Sequence, residues 1–344
     1  MPPRDDGALC EDAVALDDVS LAPGTCSSGS CRRLPIVAAG GYHACAVLAD
    51  GGMRCWGRAL QGALGRGDEV NVGDGFGSSV ARAGALALPS VESVGLGFAN
   101  TCAIAADGLR CWGDNTGGAL GTGDFEHRGT TPATIASSLP VLALGADFVP
   151  SAVANSVWET CALSQRGDIK CWGEKVSGYP GIPSVGTPGT ISIAQVGAVS
   201  LGSDAGPFVT ETIDIGFTHV CALAAGNIRC WGGPAASLGI GATEVIGDDE
   251  QPNSVSFVNT DWTAVSLSTT AEHTCAVTTT GGVYCWGATT RASSGMDRPM
   301  REHSPRRSSS VRVASQQPSR PAAPTRACVG APTPMASSAE AMRW

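Results

Sequence analysis

An all-β repeat architecture is predicted by three observations. Five times the chain repeats Cys-Ala-x-x, a short Gly-bearing turn, then x-Cys-Trp-Gly, at Cys45–Gly57, Cys102–Gly113, Cys161–Gly173, Cys221–Gly232 and Cys275–Gly287. The first cysteines are spaced by 57, 59, 60 and 54 residues, a period suited to a blade or a solenoid coil rather than to a heptad. Glycine is abundant at 46 residues and aromatics are only 5%, a composition of short strands joined by many turns.

Each copy reads as a β-hairpin. Its two cysteines are nine or ten apart, and the turn between them holds Asp107-Gly108, Gly226-Asn227, Gly51-Gly52, Gly167-Asp168 or Gly281-Gly282. The extra residue of the longer copies therefore falls in the turn, where Gly accepts positive φ, and the strand register is the same in every copy. Each cysteine is thereby set opposite its partner at a spacing a disulfide can span. The expected pairs are Cys45 with Cys55, Cys102 with Cys111, Cys161 with Cys171, Cys221 with Cys230 and Cys275 with Cys285. The pairing of Cys10, Cys26, Cys31 and Cys328 is left open.

Metal binding is the competing use of these cysteines, and the spacing disfavours it. Zinc sites use short Cys-x₂₋₄-Cys knuckles in fours. A histidine stands two residues ahead of the first cysteine in three copies, His43, His219 and His273, but Asn100 and Glu159 take that place in the others. No common ligand set results, so no metal and no cofactor is expected. Disulfides in every repeat point instead to an oxidising, extracytoplasmic compartment, secreted or cell-surface. Each closes a loop of about ten residues, for which the chain-entropy model gives roughly 2.5–3 kcal/mol.

Three regions are expected. Residues 1–33 form a Cys/Gly/Ser-rich lead, poorly structured; residues 34–287 carry the repeats; residues 288–344 are a basic low-complexity tail, disordered or out of frame. The start, Met-Pro-Pro-Arg-Asp-Asp, shows no apolar export segment, which stands against the cysteine argument. No run of 18 apolar residues occurs, so no transmembrane segment is expected. Of the formal net charge of −9, residues 288–344 hold nine arginines and three acids, leaving the rest strongly acidic. An acidic body repels phosphate backbones, and no nucleic-acid partner is expected.

The pattern Gly-x-x-His-x-Cys-Ala, then Gly-x-x-Cys-Trp-Gly, then Gly-x-Leu-Gly-x-Gly resembles the regulator of chromosome condensation repeat. The last element is read at Gly62–Asp68 and Gly118–Asp124, and as Ser237-Leu238-Gly239-Ile240-Gly241 in the fourth copy; Ser177–Gly181 departs from it. The resemblance covers about Pro35 to Gly287 and implies four-stranded blades in a seven-bladed β-propeller, of which about five blades are present. The Ile246–Pro252 segment is similar to the interblade stretch of secreted bacterial members. Stacking also follows from physics: a lone hairpin is marginal in water and must bury both faces. Cysteine and tryptophan are adjacent in a strand and point to opposite faces. Trp56, Trp112, Trp172, Trp231 and Trp286 are thus expected to pack one neighbouring blade and the disulfides the other.

The fifth copy is followed by Ala288–Asp297 rather than by the Gly-Ala-Leu-Gly run. The codons this stretch allows permit a Gly-x-Leu-Gly reading after a one-base frame change near residue 288, an expectation that resequencing the locus tests. An unclosed ring would leave an open edge; a compact five-bladed ring is the alternative.

No catalytic constellation is found: no Gly-x-Ser-x-Gly, His-Glu-x-x-His or phosphate-binding Gly-x-x-x-x-Gly-Lys. Asp248-Asp249-Glu250 reads as a solvated loop rather than a calcium site. Arg66-Gly67-Asp68 and Arg166-Gly167-Asp168 read as repeat turns rather than adhesion motifs, because Thr122 replaces Arg66 in the second copy. The expected function is non-enzymatic binding of an unknown protein or surface ligand. The alternatives are inhibition of a secreted enzyme, for which Phe125, Trp158 and Tyr179 are too scattered in sequence to make a face, and guanine nucleotide exchange on a small GTPase, as the resemblance implies.

Overall fold

The computed structural model describes residues 36–287 apart from positions 49, 76–78, 81–82, 175–192, 203–207, 234, 243, 248–250 and 259–260, with the backbone of four short strands outside that span. The Ser177–Gly181 departure, the Asp248–Glu250 triplet, Tyr179 and Cys328 lie outside the described residues. The chain divides into two units, Ile36–Val311 and one made of Met1–Pro35 with Arg312–Trp344. In the second, β1 (Leu9–Cys10), β2 (Gly24–Ser27) and β3 (Ser30–Arg32) form an antiparallel sheet whose ladder sets Cys26 opposite Cys31.

The larger unit is a mostly β assembly of five repeated antiparallel sheets, the blades of a propeller. Blade 1 is β4 (Ile36–Ala39), β5 (His43–Val47) and β6 (Met53–Gly57). Blade 2 is β7 (Val91–Leu96), β8 (Asn100–Ala105) and β9 (Gly108–Gly113). Blade 3 is β10 (Pro150–Asn155), β11 (Glu159–Ser164) and β12 (Ile169–Gly173). Blade 4 is β13 (Thr212–Ile215), β14 (His219–Ala224) and β15 (Asn227–Gly232). Blade 5 is β16 (Ala264–Thr269), β17 (His273–Thr278) and β18 (Val283–Gly287), to which a two-residue β19 (Arg306–Arg307) is added.

The repeat motif supplies the second and third strands of each blade, and the innermost strand comes from the variable sequence ahead of it. The fourth strand that the resemblance implies is reduced in blades 1, 2 and 4 to isolated bridges on the outer edge: Met53↔Leu86, Gly57↔Val72, Gly113↔Arg128 and Gly232↔Ile246. Those outer segments are loops rich in Gly, Pro and Asp, which cannot sustain a ladder.

Within each hairpin the register sets Cys45 opposite Cys55, and likewise for the other four pairs. Arg58 N donates to Tyr42 O and Leu48 N to Gly52 O, so alternation along the ladder makes Cys45–Cys55 a non-hydrogen-bonded pair, the closer of the two cross-strand spacings. The Cα atoms of the five bonded pairs are accordingly 4.0–4.2 Å apart. Cys45 and Cys55 share one buried cluster with Ala103 and Trp112 of blade 2. Cys102 and Cys111 share the next with Ala162 and Trp172 of blade 3. Each seam between these blades is therefore the disulfide face of one blade against the Trp face of the following one.

The Gly-Ala-Leu-Gly turn completes the seam. The Ala63 carbonyl accepts from Thr101 Oγ1 at 2.9 Å and from Trp112 Nε1 at 3.0 Å, both of blade 2. Ala119 O repeats this with Thr160 Oγ1 at 2.8 Å and Trp172 Nε1 at 3.0 Å, both of blade 3. One carbonyl thus satisfies two buried donors across each of these seams, where an unpaired donor would cost about 1–3 kcal/mol.

Candidate protein-binding face

Each innermost strand hands over to the second strand through three residues: 40–42, 97–99, 156–158, 216–218 and 270–272. These five connections come to one end of the blades, because His43 pairs with Gly57 and its equivalents do the same in every ladder. The innermost strands of all five blades line a cavity of about 480 Å³ that opens among these connections. Its wall is small and neutral, built from Ala38, Gly95, Ala154 and their neighbours. Among the described residues the one ionisable lining residue is Asp214, whose carboxylate accepts Thr269 N at 2.8 Å and Ile215 N at 2.9 Å. Burial pushes its pKa upward against the pull of those amides.

Aromatic rings gather at the mouth. Tyr42 and Phe98 lie with centroids 4.4 Å apart, and Phe98 meets Phe217 edge-on at 6.1 Å. The cluster joins blade 1, blade 2 and blade 4 across the opening. Phe217 keeps 45% and Tyr42 37% of its surface exposed, and the Arg58 guanidinium sits 5.2 Å from the Tyr42 ring centre. Trp158, 36% exposed, occupies the matching connection of blade 3 and lies against Gly117. Phe125 is 46% exposed. The rings that come together are mostly not those the sequence reading weighed. A signal was present: Phe98 and Phe217 occupy the same repeat position, two residues ahead of Asn100 and His219.

The position two residues ahead of each first cysteine is structural. His43 Nε2 lies 2.6 Å from Thr101 Oγ1; since that hydroxyl donates to Ala63 O, the imidazole is the donor. His219 Nε2 meets Thr274 Oγ1 at 2.7 Å in the seam between blades 4 and 5. Burial lowers both imidazole pKa values to about 4. In blade 2, Asn100 reaches Ser156 O at 3.1 Å. Glu159 is the exception: 3% exposed, it has no hydrogen-bond partner for either oxygen among the described residues, and the residue of blade 4 that aligns with Thr101 is Val220. Desolvation raises its pKa well above the usual carboxylate value. Its carboxylate lies near the sulfurs of Cys161 and Cys171, but their mutual bond leaves no thiolate to bind a metal.

In the first Arg-Gly-Asp tripeptide the two charges pair with each other, and in the second the Asp168 carboxylate accepts from Ser164 Oγ at 3.3 Å. Arg66 Nη2 contacts Asp68 Oδ2 at 3.1 Å. In the hairpin turn, the amides of Arg166 and Asp168 both donate to Ser164 Oγ.

Among known proteins, the family described as Regulator of chromosome condensation (RCC1) repeat matches residues 36–62 and 264–291. The Ultraviolet-B receptor UVR8 of Arabidopsis thaliana is 26% identical over 294 residues, covering 80% of this chain and 57% of the receptor. The chain thus spans little more than half the length of that curated relative. Human WBSCR16 is similar in structure with a TM-score of 0.59 at 20% identity, over 80% of this chain and 68% of that one. Prp20p from Saccharomyces cerevisiae, whose structure was described with its binding properties to Gsp1p and histones, gives 0.52 at 19% identity, over 79% and 59% of the two chains. At these identities the likeness concerns the fold.

Proposed function

For a chain built of regulator of chromosome condensation repeats, we propose a non-catalytic, extracytoplasmic role: it binds a protein partner through the end of the blades that carries Tyr42, Phe98, Phe217 and Trp158. The observation that carries this reading is the exposed aromatic cluster at the cavity mouth. Large aromatics left partly exposed on a rigid scaffold are the residue type on which protein interfaces concentrate their energy. The side chains nearest to catalytic chemistry are engaged elsewhere: His43 and His219 each hold a threonine of the next blade, and Asp214 holds two amides. Five disulfides among the described residues support an oxidising compartment.

The test is comparative capture. Proteins cross-linked to the full chain are identified for wild type and for Phe217→Asp and Trp158→Asp. A partner retained by wild type and lost from both variants supports the face, and one retained equally by all three overturns it. Nucleotide exchange is the second reading, favoured by the likeness to Prp20p. Its readout is accelerated release of labelled GDP from a small GTPase in the presence of the full chain.

A further inference from the structure

The disulfides of blades 1 to 4 are sealed by the blade that follows. Cys45, Cys55, Cys102, Cys111, Cys161, Cys171, Cys221 and Cys230 are at most 2% exposed. The fifth differs: Cys285 is exposed and Cys275 only half-buried. Burial alternates along β17 and β18 in step with this. Thr274, Ala276 and Trp286 are buried, and Ala276 and Trp286 join the cluster of blade 4, while His273 and Cys285 are exposed and Val283 is 40% exposed. The open side is the face that carries the disulfide.

We propose that Cys275–Cys285 is a thiol–disulfide exchange site for low-mass thiols, distinct from the aromatic face and independent of the reading given to it. Exchange requires a thiolate to approach a sulfur in line with the S–S bond, so access selects among otherwise equivalent disulfides. The incoming thiolate attacks Cys285 Sγ and forms a mixed disulfide there. The Cys275–Cys285 bond breaks, and its electron pair stays on Cys275 Sγ, which takes a proton from water. A second thiolate then attacks the mixed disulfide at the sulfur of the first thiol. Cys285 is released as a thiol, and the two low-mass thiols leave as their own disulfide, having supplied the two electrons. The change stays local. The opposite face of the sheet remains packed on blade 4, and the β17–β18 ladder keeps the two cysteines in register, so the bond re-forms by the reverse exchange with the low-mass disulfide, which takes up the two electrons and leaves as two thiols.

The experiment treats the full native chain with rising glutathione, quenches with iodoacetamide and maps the labelled peptides by mass spectrometry. Expected is labelling of Cys275 and Cys285 ahead of the four pairs of blades 1 to 4, at least about tenfold faster and with a rate linear in thiolate. Labelling of a pair of blades 1 to 4 first, labelling of all five blade pairs together, or a rate that saturates with glutathione, the mark of prior unfolding, overturns the proposal. The double variant Cys275→Ser/Cys285→Ser should lose the fast phase and leave the slow ones unchanged. A fast phase that persists in it also overturns the proposal, and if the variant fails to fold, the wild-type kinetics decide alone.

Discussion

His43 and His219 sit where burial strips water from the imidazole and leaves one hydrogen bond, to a threonine of the next blade. Desolvation is the main cause of their low pKa values of about 4, with the charge of His273 adding to it at His219. Below the ordinary histidine pKa of about 6.5, the unfolded chain binds protons that the folded chain refuses. Their contribution to stability is therefore complete above that value and is lost as pH falls towards 4. Urea midpoints taken from pH 7 to pH 4 should drop, and His43→Gln, which keeps a donor for Thr101, should flatten part of the slope. Glu159 acts in the opposite sense. Burial raises its folded pKa, so the stability of its protonated form is present at low pH and lost as pH rises through that raised value. Glu159→Gln, neutral at every pH, should remove a fall in urea midpoint that begins as pH rises above the ordinary carboxylate pKa; an unchanged profile would show that the carboxylate is already solvated. The sequence displays all three residues at one repeat position, but it does not tell that two of them reach a threonine of the next blade and that Glu159 meets no partner among the described residues.

At the scale of the element, the hairpin and its turn were legible, and the seam was not. Spacing placed each cysteine opposite its partner because a ladder is a local, register-determined object. The glycine runs after Cys-Trp-Gly read as turns, yet their second role appears only in three dimensions. Gly121 has φ of +70°, and a Cβ there would stand 2.6 Å from Trp172 Nε1 and also meet Ile193. The turn of one repeat thus holds the tryptophan of the next. Gly123, two residues on with φ of +81°, has nothing within 4 Å of such a Cβ. Both alanine substitutions strain the backbone by about 1 kcal/mol, but only Gly121→Ala also displaces the indole. Gly121→Ala should therefore cost about 2 kcal/mol or more beyond Gly123→Ala in chemical denaturation. Equal losses would mean that the indole moves aside freely. The fourth strand is where the family resemblance led furthest from the structure in blades 1, 2 and 4, since their outer-edge loops make bridges rather than a ladder.

For the whole unit, stability should follow how many faces of a blade are covered. Strands β8, β11 and β14 are buried at every position, whereas β5 and β17 alternate between buried and partly exposed. Hydrogen exchange should accordingly be slowest in blades 2 to 4 and faster in β5, β6, β17 and β18, because opening a blade covered on one side breaks one seam rather than two. Uniform protection across the five blades would show that the unit opens only as a whole. The sequence by itself determined the strand pairing within each hairpin, the repeat period, the five cysteine partnerships and the placing of cysteine and tryptophan on opposite faces. All of these follow from period-two geometry and short-range register. Only the tertiary structure decided that Tyr42, Phe98 and Phe217 meet across the mouth, that one carbonyl serves two donors of the next blade, and that Cys285 is, among the described disulfide cysteines, the one left in the open. These depend on how blades stack around a shared cavity, which brings together residues more than a hundred positions apart, and no local rule of spacing carries that information.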